Sequence, residues 1–120
     1  MLGVSPAVKI FLYAPAADLR RGYDGLAAIV EGAMDEDPLS GSLFIFVNKR
    51  RNRIKLLYWD RDGYAIWMKR LESGTLEVPR ADDAETTSLK ITASQLSLIL
   101  EGIELSSVRR RKRFQLRSAG

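Results

Sequence analysis

The chain has 120 residues, 46% hydrophobic and 28% charged, with no Cys and no His; that suits one globular domain with a modest core rather than a disordered chain. Without those two residue types it has no disulfide, no thiolate or imidazole metal site and no Cys or His nucleophile–base pair. The net charge is +4, but six cations and no acid fall in residues 109–117, so +4 less those six leaves −2 on residues 1–108, the asymmetry of a near-neutral body carrying a polyanion-binding or merely solvated tail.

Residues 7–13, AVKIFLY, are β-branched and aromatic-rich and end at Ala14-Pro15, which predicts a first strand. A connector with Pro15 and Gly22 follows. Asp24 is placed to cap a helix from Gly25 to about Met34, where Leu26, Ile29, Val30 and Ala33 make one apolar face. Pro38 and Gly41 end that region. SLFIFV (42–47), RIKLLYW (53–59) and YAIWMKRL (64–71) predict three strands, joined by the polar loop NKRRN and by DRDG with its Asp-Gly turn chemistry. They form an antiparallel meander. If DRDG closes the turn, Trp59 faces Tyr64, Leu57 faces Ile66 and Lys55 faces Met68. Arg53, Lys55, Leu57, Trp59, Tyr64, Ile66, Met68 and Arg70 then share one side, and Ile54, Leu56, Tyr58, Ala65, Trp67 and Lys69 share the other. Both sides are apolar near the middle, so both call for cover, by helices on one side and by a partner on the other. A short edge strand is expected at 75–78 and another strand at 87–91. Thr92 with Gln95 gives a capping-box signal for a helix over SQLSLILE, stopped by Gly102.

The expected architecture is α+β: a single small domain over residues 1–105, an antiparallel β-meander with a helix after the first strand and a C-terminal helix, plus a basic tail over 106–120. No apolar run approaches the ~20 residues that span a bilayer. The opening segment lacks the features of a signal peptide. A cytoplasmic protein is expected, nucleoid-associated if it binds DNA.

Three segments could carry chemistry. The acids Asp18, Asp24, Asp60, Asp62 and Glu72 would need to converge to hold Mg²⁺, yet turn and cap roles account for most of them. No Walker loop occurs, and neither a catalytic constellation nor a cofactor is expected. Lys49, Arg50, Arg51 and Arg53 crowd one loop, Lys55, Lys69 and Arg70 follow on the strands, and Tyr58, Trp59, Tyr64 and Trp67 lie beside them. They suit phosphate contact with stacking on unpaired bases, or else a solvated rim around core aromatics. Arg20 and Arg21 precede a helix start, where phosphate binds readily, or else form local salt bridges. In the tail, Arg109, Arg110, Arg111, Lys112 and Arg113 add further candidate phosphate contacts.

The segments DLRRGYDGLAAIV and DPLSGSLFIFVNKRRNRIKLLYWDRDGYAIWMKRLESG resemble the TnpB-type (second open reading frame) accessory proteins of the insertion sequence 66 family of transposable elements. The match runs through Asp18, Arg20, Arg21, Gly22, Asp24, Gly25 and Leu26, then Pro38, Ser40, Gly41, Phe44 and Phe46. It continues through Arg53, Ile54, Lys55, Leu57, Trp59, Asp60 and Gly63, and ends at Lys69, Arg70, Leu71 and Glu72; ITASQLSLILEGI at 91–103 matches as well. Arg21 stands where Lys is more usual. The resemblance implies a non-catalytic assistant in DNA transposition, encoded beside a separate transposase. It carries over no catalytic residue. DNA is then the expected partner and the transposase of the same element a further one, with an adaptor that docks on the transposase without DNA affinity as the alternative.

Overall fold

The computed structural model describes residues 7–101. Its elements are β1 (Ile10–Tyr13), α1 (Tyr23–Glu31), β2 (Leu43–Val47), β3 (Arg53–Asp60), β4 (Gly63–Arg70), β5 (Ser88–Ile91) and α2 (Ala93–Glu101). The strands form one sheet in the order β4-β3-β2-β1-β5. The β2-β3-β4 part is the expected antiparallel meander. β1 joins it in parallel with β2, Phe11 beside Phe44, and β5 closes the other side antiparallel to β1. A parallel pair needs a long return connection, and α1 lies within it.

The register of the β3-β4 hairpin is the one alternation dictates: Trp59 pairs with Tyr64, Leu57 with Ile66 and Lys55 with Met68. The loop itself is Arg61-Asp62, with Arg61 in the left-handed region at φ 57°. Gly63 is thus the first residue of β4 rather than part of the turn centre.

Both sheet faces are covered, each by a helix of the same chain. Leu26, Ala27 and Val30 of α1 pack with Phe44, Phe46 and Leu57 on one face, joined by Tyr64 and Ile66. Leu96, Ile99 and Leu100 of α2 pack on the other with Ile45, Ile54 and Leu56, joined by Tyr58 and Trp67. β2 is buried along its whole length, as a strand covered on both faces must be. The side expected to await a partner is therefore occupied by α2.

Three local expectations change. α1 starts at Tyr23 behind Gly22, which has extended backbone and makes no side-chain cap. Asp24 lies inside the first turn, where a carboxylate favours the positive end of the helix dipole. The helix stops at Glu31 rather than Met34, because Gly32 ends it and Asp35 turns the chain at φ 53°. Residues 75–78 do not pair as a strand. Instead Leu76 is fully buried in the α2-side core, and its N–H donates to the Arg51 carbonyl at 2.6 Å. The capping box forms as expected: Thr92 N–H donates to Gln95 Oε1 at 2.8 Å and Gln95 N–H to Thr92 Oγ1 at 3.1 Å. Gly102 and the tail lie outside the described residues.

Candidate nucleic-acid interface

Strand directions set the polarity of the surface. β1 and β2 run parallel, so the connector 14–21 and the loop 48–52 both leave from one end of the sheet. Arg53 pairs with Arg70 at that same end. The Arg61-Asp62 turn and the segment entering β2 lie at the other.

The basic loop has a defined shape. Arg51 N–H donates to the Asn48 carbonyl at 3.0 Å. The Asn48 side chain then holds the exit: its Oδ1 accepts from Asn52 N–H and Arg53 N–H at 3.0 Å each, and its Nδ2 donates to Asn52 Oδ1 at 2.7 Å. Arg51 sits in the left-handed region at φ 57°, which turns its carbonyl toward the buried Leu76 segment. With its backbone so pinned, the loop presents Lys49 and Arg50 outward, and both are exposed, as is Arg53. Among the described residues the side chains of Lys49, Arg50 and Arg53 have no ion-pair or hydrogen-bond partner.

Two open concavities are lined by this loop, and another adjoins one of them at Leu19 and Arg53. One, of about 310 Å³, lies between the connector and the loop and brings Arg20 together with Lys49, Arg50 and Arg53. A second, of about 430 Å³, is lined by Arg53, Lys55, Lys69 and Arg70. The third, of about 320 Å³, holds Lys49, Arg51 and Arg80. The acids lining them are Asp18 and Glu72. Each is already paired, Asp18 with Arg20 at 2.8 Å and Glu72 with Arg70 at 3.1 Å.

The two connector arginines behave differently from the loop cations. Arg20 clamps Asp18 through Nε and Nη2, and its backbone N–H adds a third bond. This contact holds the Asp18 carboxyl down at about 2 and raises Arg20 above its ordinary value. Much of Arg20's charge is thus answered locally. Arg21 contributes its backbone: its carbonyl accepts from Lys55 Nζ at 3.0 Å, which ties connector to sheet. Of the expected contact residues, Arg20, Lys49, Arg50, Arg51, Arg53 and Lys55 therefore share one end of the sheet. Arg109, Arg110, Arg111, Lys112 and Arg113 lie outside the described residues. Lys69, Arg70 and Arg80 join this surface as well. Lys69 and Arg70 belong there because pairing returns β4 to the start of β3, as the hairpin register expected from the sequence requires; Arg80 belongs there because burial of Leu76 brings the following segment back to the loop, which a linear reading does not supply.

None of the four candidate aromatics lines these three concavities, although Tyr13, at the end of β1, lines the third. Trp59 and Tyr64 pack edge to face at 5.1 Å near the turn, and Tyr58 and Trp67 lie against the α2-side core. The candidate acids do not converge either, since Asp60 and Asp62 are at the turn end while Asp18 and Glu72 are at the loop end. Among the described residues no group of three or more Asp, Glu, His or Cys is placed to hold a metal ion, and no helix is long and apolar enough to cross a membrane.

Fold and surface together define a small α+β domain whose distinguishing feature is a cationic end. The sequence places it more narrowly: the model of the family described as IS66 Orf2-like protein matches residues 8–110, and the chain belongs to that transposition-associated family. It is 34% identical over 111 residues to "Uncharacterized protein y4jC" of Sinorhizobium fredii (strain NBRC 101917 / NGR234), covering 92% of each chain. It is 31% identical to "Uncharacterized protein y4hO" of the same strain, covering 87% of this chain and 88% of the other. No solved structure matches it.

Proposed function

We propose that this protein is a non-catalytic accessory factor of transposition that contacts DNA through the cationic end of its sheet. The observation that carries the reading is the convergence of Lys49, Arg50 and Arg53, unpaired and exposed, with Arg20, Lys55, Lys69, Arg70 and Arg80 around three connected concavities. Cations so placed contact phosphates without reading bases. The separation of Tyr58, Trp59, Tyr64 and Trp67 from this end, where Tyr13 is the one aromatic lining the three concavities, favours duplex backbone over stacked single strands.

A mobility-shift titration across salt concentration tests this. Duplex DNA should bind at low salt, with log affinity falling linearly in log salt at about −0.9 per phosphate neutralised. Failure of both duplex and single-stranded DNA to bind at low salt rules the proposal out. The transposase of the same element is the second proposed partner, reached with or without DNA. Exposed Met68 on β4, 62% accessible, favours a protein contact of some kind. Co-purification with the transposase in the absence of any DNA shift would replace the DNA reading with the adaptor one.

A further inference from the structure

Among the described residues β4 is an edge strand, and it carries few of the usual defences against pairing. It is eight residues long, contains no Pro, and pairs with β3 without a bulge from Gly63 to Arg70. Native edge strands are commonly short, bulged, interrupted by Pro or charged throughout. The other edge, β5, is only four residues long. In β4 the charges are confined to Lys69 and Arg70, and the apolar part Tyr64–Met68 ends in a methionine that is 62% exposed.

The phase of the ladder determines which backbone groups are free. Asp60 and Gly63 flank a two-residue turn and form a hydrogen-bonded pair. Leu71 N–H donates to the Asn52 carbonyl, in the same phase. The odd-numbered residues of β4 therefore bond to β3, and the N–H and C=O groups of Tyr64, Ile66, Met68 and Arg70 point away from the sheet.

We propose that this edge pairs antiparallel with β4 of a second copy of the chain, about a two-fold axis at Ile66. A continuous sheet keeps each face on the same side, so even-numbered residues must oppose even-numbered ones. Centring on Ile66 places Tyr64 opposite the second copy's Met68, a sulfur–aromatic pair. Trp67 then lies opposite Ala65, and Lys69 opposite Gly63, large against small. Asp62 comes opposite Arg70 at both ends. The competing register, centred on Trp67, sets Asp62 against Glu72 and the two Trp67 rings against each other. Charge complementarity thus selects the first. Such an interface is isologous and closes at two copies.

The inference does not rest on DNA contact, and its test contains no DNA. Sedimentation of the full chain, 13.5 kDa as a monomer, should show a concentration-dependent doubling of mass. The amides of Tyr64, Ile66 and Met68 should exchange more slowly as concentration rises. Ile66→Pro removes an outward N–H and no bond to β3, so it should abolish the dimer while leaving circular dichroism unchanged. Should that variant unfold, Asp62→Arg keeps the test decisive: it should weaken the dimer by roughly 3- to 30-fold, and adding Arg70→Asp should restore it. A monomer at several hundred micromolar overturns the inference. So does a dimer indifferent to Asp62→Arg, or a monomer whose Ile66 amide is protected at every concentration, which would mean that another part of the chain covers the edge.

Discussion

Asn48 and Asp18 show how single side chains prepare the cationic end. The Asn48 amide makes three hydrogen bonds across the loop, substituting for ladder bonds that a five-residue loop cannot make. Asn48→Ala leaves the Asn52 and Arg53 N–H groups without that acceptor. It should cost about 1–3 kcal/mol in urea denaturation and weaken DNA binding by loosening Lys49, Arg50 and Arg53. Asp18 reports on its clamp directly. Its carboxyl is held at about 2, first by the side-chain bond from Arg20 and then by the Arg20 backbone N–H. A depressed carboxylate contributes stability that is present above its ordinary value, near 3.8, and is lost as pH falls through the depressed one. A carbon-detected NMR titration should therefore find Asp18 still ionised at pH 3. In Arg20→Ala its midpoint should return toward the ordinary carboxylate range. A wild-type midpoint near the ordinary value would mean the clamp does not hold in solution.

At the scale of elements, the segment after β4 matters more than its lack of secondary structure suggests. Leu76 is fully buried, and its N–H holds the Arg51 carbonyl, so a core residue on one side of the sheet fixes the backbone of the basic loop. Leu76→Ala should destabilise the domain by about 2–5 kcal/mol in chemical denaturation. At temperatures where the variant stays folded it should also broaden the loop resonances of residues 49–52. A variant destabilised to that extent with an unchanged loop would break the link between core and surface. The element positions themselves were largely legible. Alternation in 53–70 yields both strands and their register, because a two-residue turn leaves one pairing that keeps Leu56 and Leu57 on opposite buried faces. The capping box gave the start of α2. Asp24 is a good capping residue by type, yet Gly22 takes the cap of α1, so the helix starts earlier than residue type alone implies. The strand expected at 75–78 failed because its apolar alternation serves a single buried anchor.

For the molecule as a whole, charge is distributed by topology. Parallel pairing of β1 with β2 brings the connector and the basic loop to one end, and the acids of the hairpin turn go to the other. Replacing Lys49, Arg50 and Arg53 by Ala should flatten the dependence of log affinity on log salt by about 2.7 if each neutralises one phosphate. An unchanged slope would move the contact surface to the tail residues Arg109–Arg113. Dimerisation through β4 would turn the two cationic ends away from each other, giving one particle two separated surfaces for DNA.

By itself the sequence determined the family, the meander with its register, the amphipathic faces and the cations available for contact. These are consequences of local periodicity, turn chemistry and residue type, which a linear reading contains. Only the tertiary structure decided that the chain's own helices cover both faces, that β1 enters the sheet beside β2, and that Arg80 stands with the loop while Tyr58, Trp59, Tyr64 and Trp67 do not. Those facts depend on which distant strands pair and which helix packs where, and burial of apolar surface selects such contacts over the whole chain at once.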